Sequence, residues 1–174
     1  MNLHQIIVNS INDAACNVFA TMLGGELGPG SDSIGSGPPD STDGVVSFIG
    51  IAGTWTGTGS LICSANMACA ICTQMLMTET TSVNEDVLDA VAELTNMIIG
   101  GVKTDLEQHV GALGLSIPTV VFGRNFRTRT VSSTEWILVQ FPWNGEVLAV
   151  KFSLAPSDRA ASHQHLGHPC AIEV

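Results

Sequence analysis

Apolar residues fall at positions 3, 7, 11, 15, 18 and 22, steps of three and four that draw one stripe along a helix from Leu3 to Leu23. Gly24-Gly25 ends it. Two runs rich in Val, Ile, Phe and Thr, Val45 to Ala52 and Thr56 to Cys63, then flank Gly53-Thr54-Trp55 and predict a β-hairpin. Ser64 is suited to cap a second helix reaching about Met77. The third helix has the clearest signal, from about Asn84 to His109. Ser82-Val83-Asn84-Glu85 reads as a capping box, acids crowd the first turns, and Lys103 lies in the later part. Beyond it, Pro118 to Gly123 has the composition of a strand and residues 124–133 read as a polar loop. Glu135 to Phe141 and Glu146 to Leu154 flank Asn144-Gly145, a dipeptide that supplies positive φ at both centres of a tight hairpin turn. The order helix, hairpin, helix, helix, strand, hairpin predicts an α+β fold: a mostly antiparallel sheet covered on one face by long amphipathic helices.

Composition fixes the setting. Residues 24–44 are rich in Gly, Ser and Asp with Pro38-Pro39 among them, which reads as a flexible surface loop. The chain of 174 residues is the size of one domain, read as residues 1–154 with a His-containing tail over residues 155–174. Apolar residues make up 45% and charged ones 13%, which excludes a disordered chain. No stretch reaches the roughly 18 apolar residues of a membrane span. Six Lys and Arg against 16 Asp and Glu leave a net charge of -10, which repels nucleic acid and anionic membranes. The first 20 residues carry no basic segment ahead of an apolar run and no small-residue cleavage site, so the cytoplasm is expected.

Potential metal and redox chemistry is thin. Cys16, Cys63, Cys69, Cys72 and Cys170 are an odd set with the spacing of small core residues. Cys69-Ala-Ile-Cys72 lacks a second C-x-x-C to complete a zinc site. His163, His165, His168 and Cys170 could chelate a metal, but they read as a tail, and no metal site is assigned. Met75, Met77 and Met97 read as core or interface fillers, Trp55, Trp136 and Trp143 as packing around the hairpins, and Arg124, Arg127 and Arg129 as a basic cluster that either meets an acidic neighbour or lies on a solvated loop.

An internal echo directs attention to the third helix. Asp13 to Gly25 aligns without gaps on Asp89 to Gly101, with Asp-Ala at the start and Gly-Gly at the end of each. Where the second copy has Glu93 and Asn96, the first has Asn17 and Ala20. On a helical wheel Val87, Val91, Leu94, Ile98 and Val102 share the core side, while Asp89, Glu93, Asn96, Gly100, Lys103 and Glu107 share the other. Asn and Gly weaken a helix interior, so this face is either a solvated surface with two poor helix formers or a contact site. In the second case Glu93 and Asn96, three residues apart, offer a carboxylate and an amide side by side. Gly100 then leaves bare backbone for a close approach.

The run from Leu88 to Lys103, with Glu-Leu-Thr-Asn-Met-Ile-Ile-Gly-Gly at its centre, resembles the signature helix of the CheX-type chemotaxis phosphatases, relatives of CheC and of the phosphatase domain of FliY. The similarity of element order extends over about residues 3–154, with residues 24–44 long for the family and the tail without counterpart. The resemblance implies a phosphatase acting on the aspartyl phosphate of a CheY-like response regulator, with Glu93 and Asn96 inserted into the partner's active site. On that reading Asp89, Gly100, Lys103 and Glu107 form the partner-binding rim, one active face serves each chain, and the chain pairs as a homodimer. It also implies no cofactor bound by this chain, Mg²⁺ being held in the receiver domain. The chemistry is self-consistent: a receiver's phosphoryl group is already neutralised, so the task left is to place a water in line, and an amide with donor and acceptor suits it. Glu93 would take a salt bridge from the partner's phosphate-binding Lys. The alternative is a module of the same fold that docks on a receiver without hydrolysis.

Overall fold

The computed structural model describes residues 2–35, 42–126 and 135–157. In chain order these form α1 (Leu3–Met22), β1 (Ser31–Gly35), β2 (Thr42–Gly53), β3 (Trp55–Cys63), α2 (Ala65–Leu76), α3 (Glu85–Val110), β4 (Leu113–Leu115), β5 (Thr119–Phe126), β6 (Trp136–Trp143) and β7 (Glu146–Pro156). The strands make one seven-stranded sheet of order β1-β6-β7-β3-β2-β4, with β5 also paired to β2, and every pairing is antiparallel. The α+β expectation is met. Ile7, Ile11, Ala15 and Phe19 of α1, Met67 and Ile71 of α2, and the apolar stripe of α3 pack on Val45, Ile49, Leu61, Val139, Phe141, Val150 and Phe152 of the sheet. That apolar burial is the main force holding helices to sheet. Phe19 meets Trp143 edge to face, centroids 5.4 Å apart.

Local chemistry explains most boundaries. Ser64 caps α2 by accepting from Met67 N–H at 3.0 Å. Asn144 and Gly145 take φ of 49° and 81°, the turn that their dipeptide predicts between β6 and β7. Helix α3 is capped by Asn84 rather than Ser82. The Asn84 backbone is extended and its side chain accepts from Val87 N–H at 3.0 Å, so the cap lies two residues inside the expected box.

Two strands depart from the sequence reading. The segment read as loop contains β1, whose Ser31 to Gly35 pair residue by residue with Gln140 to Trp136 of β6. Its one apolar side chain, Ile34, gives no alternation to detect, and backbone pairing to an existing edge makes the strand. The three residues of β4 are equally patternless. They pair with Ile51 to Gly53 at the far end of β2. Strand β5 runs to Phe126, into the expected polar loop, whose remainder lies outside the described residues. Trp136 and Trp143 are buried, Trp55, Met75 and Met97 are partly buried, and Met77 is exposed with φ of 54° at the end of α2, so it is no core filler.

Candidate functional site

Helix α3 is seated firmly on the sheet. Val87, Val91, Leu94, Ile98 and Val102 are fully buried. Ile99 lies against Gly59 of β3 so closely that a Cβ there would come within 2.7 to 2.9 Å of its carbons. Thr95, between the two signature residues, is buried too, and its hydroxyl is satisfied by donating to Val91 O at 2.7 Å. A helix held this way gives its outward side chains fixed roots.

Those outward residues are the ones the wheel separates: Asp89, Glu93 and Asn96 are exposed, and Gly100, Lys103 and Glu107 half-buried. Glu93 and Asn96 stand on the same lip of the helix and make no hydrogen bond or ion pair among the described residues. With Asp89 and Ala92 they form one wall of an open cleft of about 490 Å³. The opposite wall is Leu115, Ser116, Ile117 and Pro118, where β4 passes into β5.

The topology fixes that second wall. Strand β5 covers Thr42 to Phe48 of β2 and β4 covers Ile51 to Gly53, so the link between them crosses at Gly50. There Ser116 N–H donates to Gly50 O at 2.9 Å, and Gly50 N–H donates to Ser116 Oγ at 2.8 Å. Sequence reading missed this wall. Pro118 was the visible marker of a strand start, but nothing in residues 111–118 announces that they face α3.

The far end of α3 is bound down rather than free. Lys103 Nζ and Glu107 Oε2 are 2.9 Å apart, and Glu107 Oε1 accepts from Leu113 N–H of β4 at 2.9 Å. The Leu113 N–H, and then Lys103, hold the Glu107 carboxyl below its ordinary range. Thr54 of the β2–β3 turn donates to Val110 O at 2.6 Å, satisfying a carbonyl at the helix end. Glu107 and Lys103 thus tie helix to sheet and do not line the cleft, unlike Asp89. Thr104 donates to Gly100 O at 2.9 Å, and a Cβ at Gly100 would meet nothing within 4 Å, so this stretch of helix is open to an approaching surface.

Elsewhere three thiols are structural, whereas Cys16 is exposed on the outer side of α1 and is no core residue. Cys63, Cys69 and Cys72 are buried, and burial pushes the Cys63 thiol up to about 12. No cluster of three or more His, Cys, Asp or Glu among the described residues is arranged to hold a metal. His163, His165, His168, Cys170, Arg127 and Arg129 lie outside the described residues, and Arg124 is exposed on β5. No helix is long and apolar enough to cross a membrane among the described residues.

Comparison with known proteins bears on this arrangement. A CheC-like superfamily protein from Shewanella sp. PV-4 superposes with a TM-score of 0.77 at 28% identity, over 89% of this chain and 99% of that one. The chemotaxis protein CheX from Vibrio vulnificus gives 0.76 at 27%, over 86% and 99%. A chain of the CheX–CheY–BeF3–Mg²⁺ complex from Borrelia burgdorferi shares the fold, with 0.72 at 20% over 85% and 97%. No curated protein matches. Residues 45–142, more than half of the chain, match the family described as chemotaxis phosphatase CheX. With that match over more than half of the chain, and the superpositions beside it, the chain belongs to the CheX family of chemotaxis phosphatases.

Proposed function

We propose that this chain hydrolyses the aspartyl phosphate of a CheY-like response regulator, and that Glu93 and Asn96 do the work. The observation that carries the assignment is the exposed, unengaged carboxylate and amide, three residues apart on a rigidly seated helix at the edge of an open cleft. The Borrelia burgdorferi relative is found with CheY, Mg²⁺ and BeF3, a phosphoryl mimic, which favours the same kind of partner here.

In this mechanism α3 enters the partner's active site with its Glu93–Asn96 lip leading. Asn96 accepts a hydrogen bond from the attacking water through its carbonyl oxygen and holds the water's oxygen in line with phosphorus. The bond from water oxygen to phosphorus forms as the bond from phosphorus to the aspartyl oxygen breaks, releasing inorganic phosphate and the free carboxylate. Glu93 pairs with the partner's phosphate-binding Lys and fixes the helix's register. Mg²⁺ bound in the receiver neutralises phosphoryl oxygens there, and this chain binds no cofactor of its own. Asp89 and Gly100 flank the contact, while Lys103 and Glu107 stiffen its far end.

Two broader statements belong to the same proposal. The chain acts in the cytoplasm, and it pairs with a second copy, supported by the outer position of β5 and the exposure of Val121 and Phe122 on it. The folded unit runs at least through β7, whose Ala155 and Pro156 still pair with Thr56 and Trp55 of β3, two residues past the boundary expected at residue 154.

Turnover is the test. A sub-stoichiometric amount of the chain should shorten the lifetime of many equivalents of a Mg²⁺-loaded, phosphorylated CheY-type receiver. Stoichiometric binding with an unchanged lifetime would replace hydrolysis by the docking-module reading.

A further inference from the structure

We infer that Ile117 is a preformed apolar anchor for the phosphorylated receiver, set across the cleft from Glu93 and Asn96; this rests on the phosphatase reading above. Ile117 is 86% exposed, matched among the described large apolar residues by Met77 alone. A single exposed isoleucine is ordinary on a protein surface. This one is distinguished by where it stands and by how its backbone is held.

Its place is the wall that faces the signature pair. Its backbone is fixed on both sides. Ser116 is locked to Gly50 by reciprocal hydrogen bonds of 2.9 and 2.8 Å, the Ser116 hydroxyl donates to Ile117 O at 2.9 Å, and Pro118 restricts φ on the other side. The hydroxyl and N–H of Ser116 are thereby both engaged, and Leu115, Ile117 and Pro118 remain as the apolar surface that the wall offers, Ile117 being the exposed member. A side chain on such a loop loses little freedom when covered, so its burial converts efficiently into affinity.

The cleft therefore has two chemistries: a carboxylate and an amide on the helix, and an aliphatic knob on the loop. Glu93 and Asn96 address the charged centre of the receiver, and Ile117 packs on an apolar recess of the receiver's surface beside that centre. The occupant is a folded receiver domain rather than a small acyl phosphate, because a side chain 86% exposed at the mouth of an open cleft keeps most of its surface clear of a ligand confined to the cleft. Ser116 acts through Ile117 and is a positioning residue.

Steady-state hydrolysis with a phosphorylated CheY-type receiver tests this, together with the affinity of the chain for the same receiver in its beryllofluoride–Mg²⁺ form. Ile117→Ala should raise KM and weaken that affinity by about tenfold, as expected for an apolar anchor lost from an interface, with kcat retained. Ile117→Ser should do the same, and both variants should melt at the wild-type temperature because the side chain is exposed. Ser116→Ala should raise KM by less, again with kcat retained. Met77→Ala removes an equally exposed apolar side chain that does not line the cleft and should change neither parameter. Wild-type KM and affinity in both Ile117 variants would overturn the anchor. A loss of kcat confined to Asn96→Ala would leave the phosphatase reading standing in that event. Absence of turnover by the wild-type chain would instead bring down the phosphatase reading, and the anchor with it.

Discussion

Residues 13–25, in and just past α1, and residues 89–101 of α3 begin from the same gapless pattern and are put to different use. Both bury most of the corresponding stripe: Ala15 with Val91, Val18 with Leu94, Phe19 with Thr95, and Leu23 with Ile99 are all buried, but Met22, expected in the stripe, is exposed where the matching Ile98 is fully buried. The divergence is on the outer side and at the end. At Gly24 the first copy turns left-handed, with φ of 61°, and the helix has already stopped at Met22. At the matching Gly100 the second copy stays helical and runs on to Val110. The neighbours differ as well. Asp13 and Asn17 of α1 border a groove with Gly101 and Asp105 of α3, where Ser10 donates to Asp105 Oδ2 at 3.1 Å and a Cβ at Gly101 would lie 3.0 Å from that of Ala14. Asp89, Glu93 and Asn96 of α3 border the Ser116–Pro118 wall instead. A repeated core pattern thus fixes how a helix packs, whereas its chemistry comes from what the fold sets beside its free face.

The contrast breaks most sharply at the signature pair. Asn96→Ala should lower the accelerated dephosphorylation rate by about 100-fold or more, the scale of losing a positioned reactant, with folding intact because the side chain is exposed. Writing the pair into α1, Asn17→Glu with Ala20→Asn, in the Asn96→Ala background should restore nothing, since that face borders Gly101 and Asp105 of α3 rather than the Ser116–Pro118 wall. Recovered phosphatase activity in the graft would show that the pair alone suffices and that the cleft is incidental.

Next in size is a pair of identical substitutions at aligned positions with opposite signs. Gly24→Ala forces a Cβ into a left-handed backbone and should destabilise the chain by about 1 kcal/mol. Gly100→Ala has open space and a helical backbone, so it should stabilise by up to about 1 kcal/mol. Chemical denaturation of the two variants decides this. The same Gly100→Ala protein should be a poorer phosphatase despite its greater stability, because the added methyl stands where the receiver approaches. Equal shifts of the same sign at both positions would dissolve the distinction between the two helix ends.

The pH dependence is the smallest effect expected. The Glu107 carboxyl titrates below its ordinary value of 4.5 in the folded chain, so its contribution to stability is complete above that value and is lost as pH falls through the lowered one. Melting temperatures taken from neutral pH into the acid range should fall less steeply for Glu107→Gln than for wild type. Identical slopes would mean that the α3–β4 tie carries no charge-dependent stability.

How far the sequence could be read follows from where the determinants lie. The stripe from Val87 to Val102, the Ser64 cap and the Asn144-Gly145 turn are local, and each is legible because the residues that cause the element are the residues in it. The helix half of the cleft is legible for the same reason, since one wheel separates Glu93 and Asn96 from the core. β1, β4 and the Ser116–Pro118 wall are not, because they are made by pairing with β6 and β2, far away in sequence. Three residues of β4 carry no period, and Ile34 alone carries none in β1. Glu107 illustrates the intermediate case. Its spacing from Lys103 announces an ion pair, but its bond to Leu113 N–H exists only because β4 closes the end of β2.

The most direct measurement follows the phosphate of a Mg²⁺-loaded, phosphorylated CheY-type receiver with time, alone, with a catalytic amount of the wild-type chain, and with Asn96→Ala at the same concentration. A rapid loss with wild type, and a return to the intrinsic rate with an Asn96→Ala protein that still binds the beryllofluoride–Mg²⁺ receiver, is the predicted result. Equal acceleration by the two proteins would contradict the account, because hydrolysis would then proceed without the amide that is held to place the water.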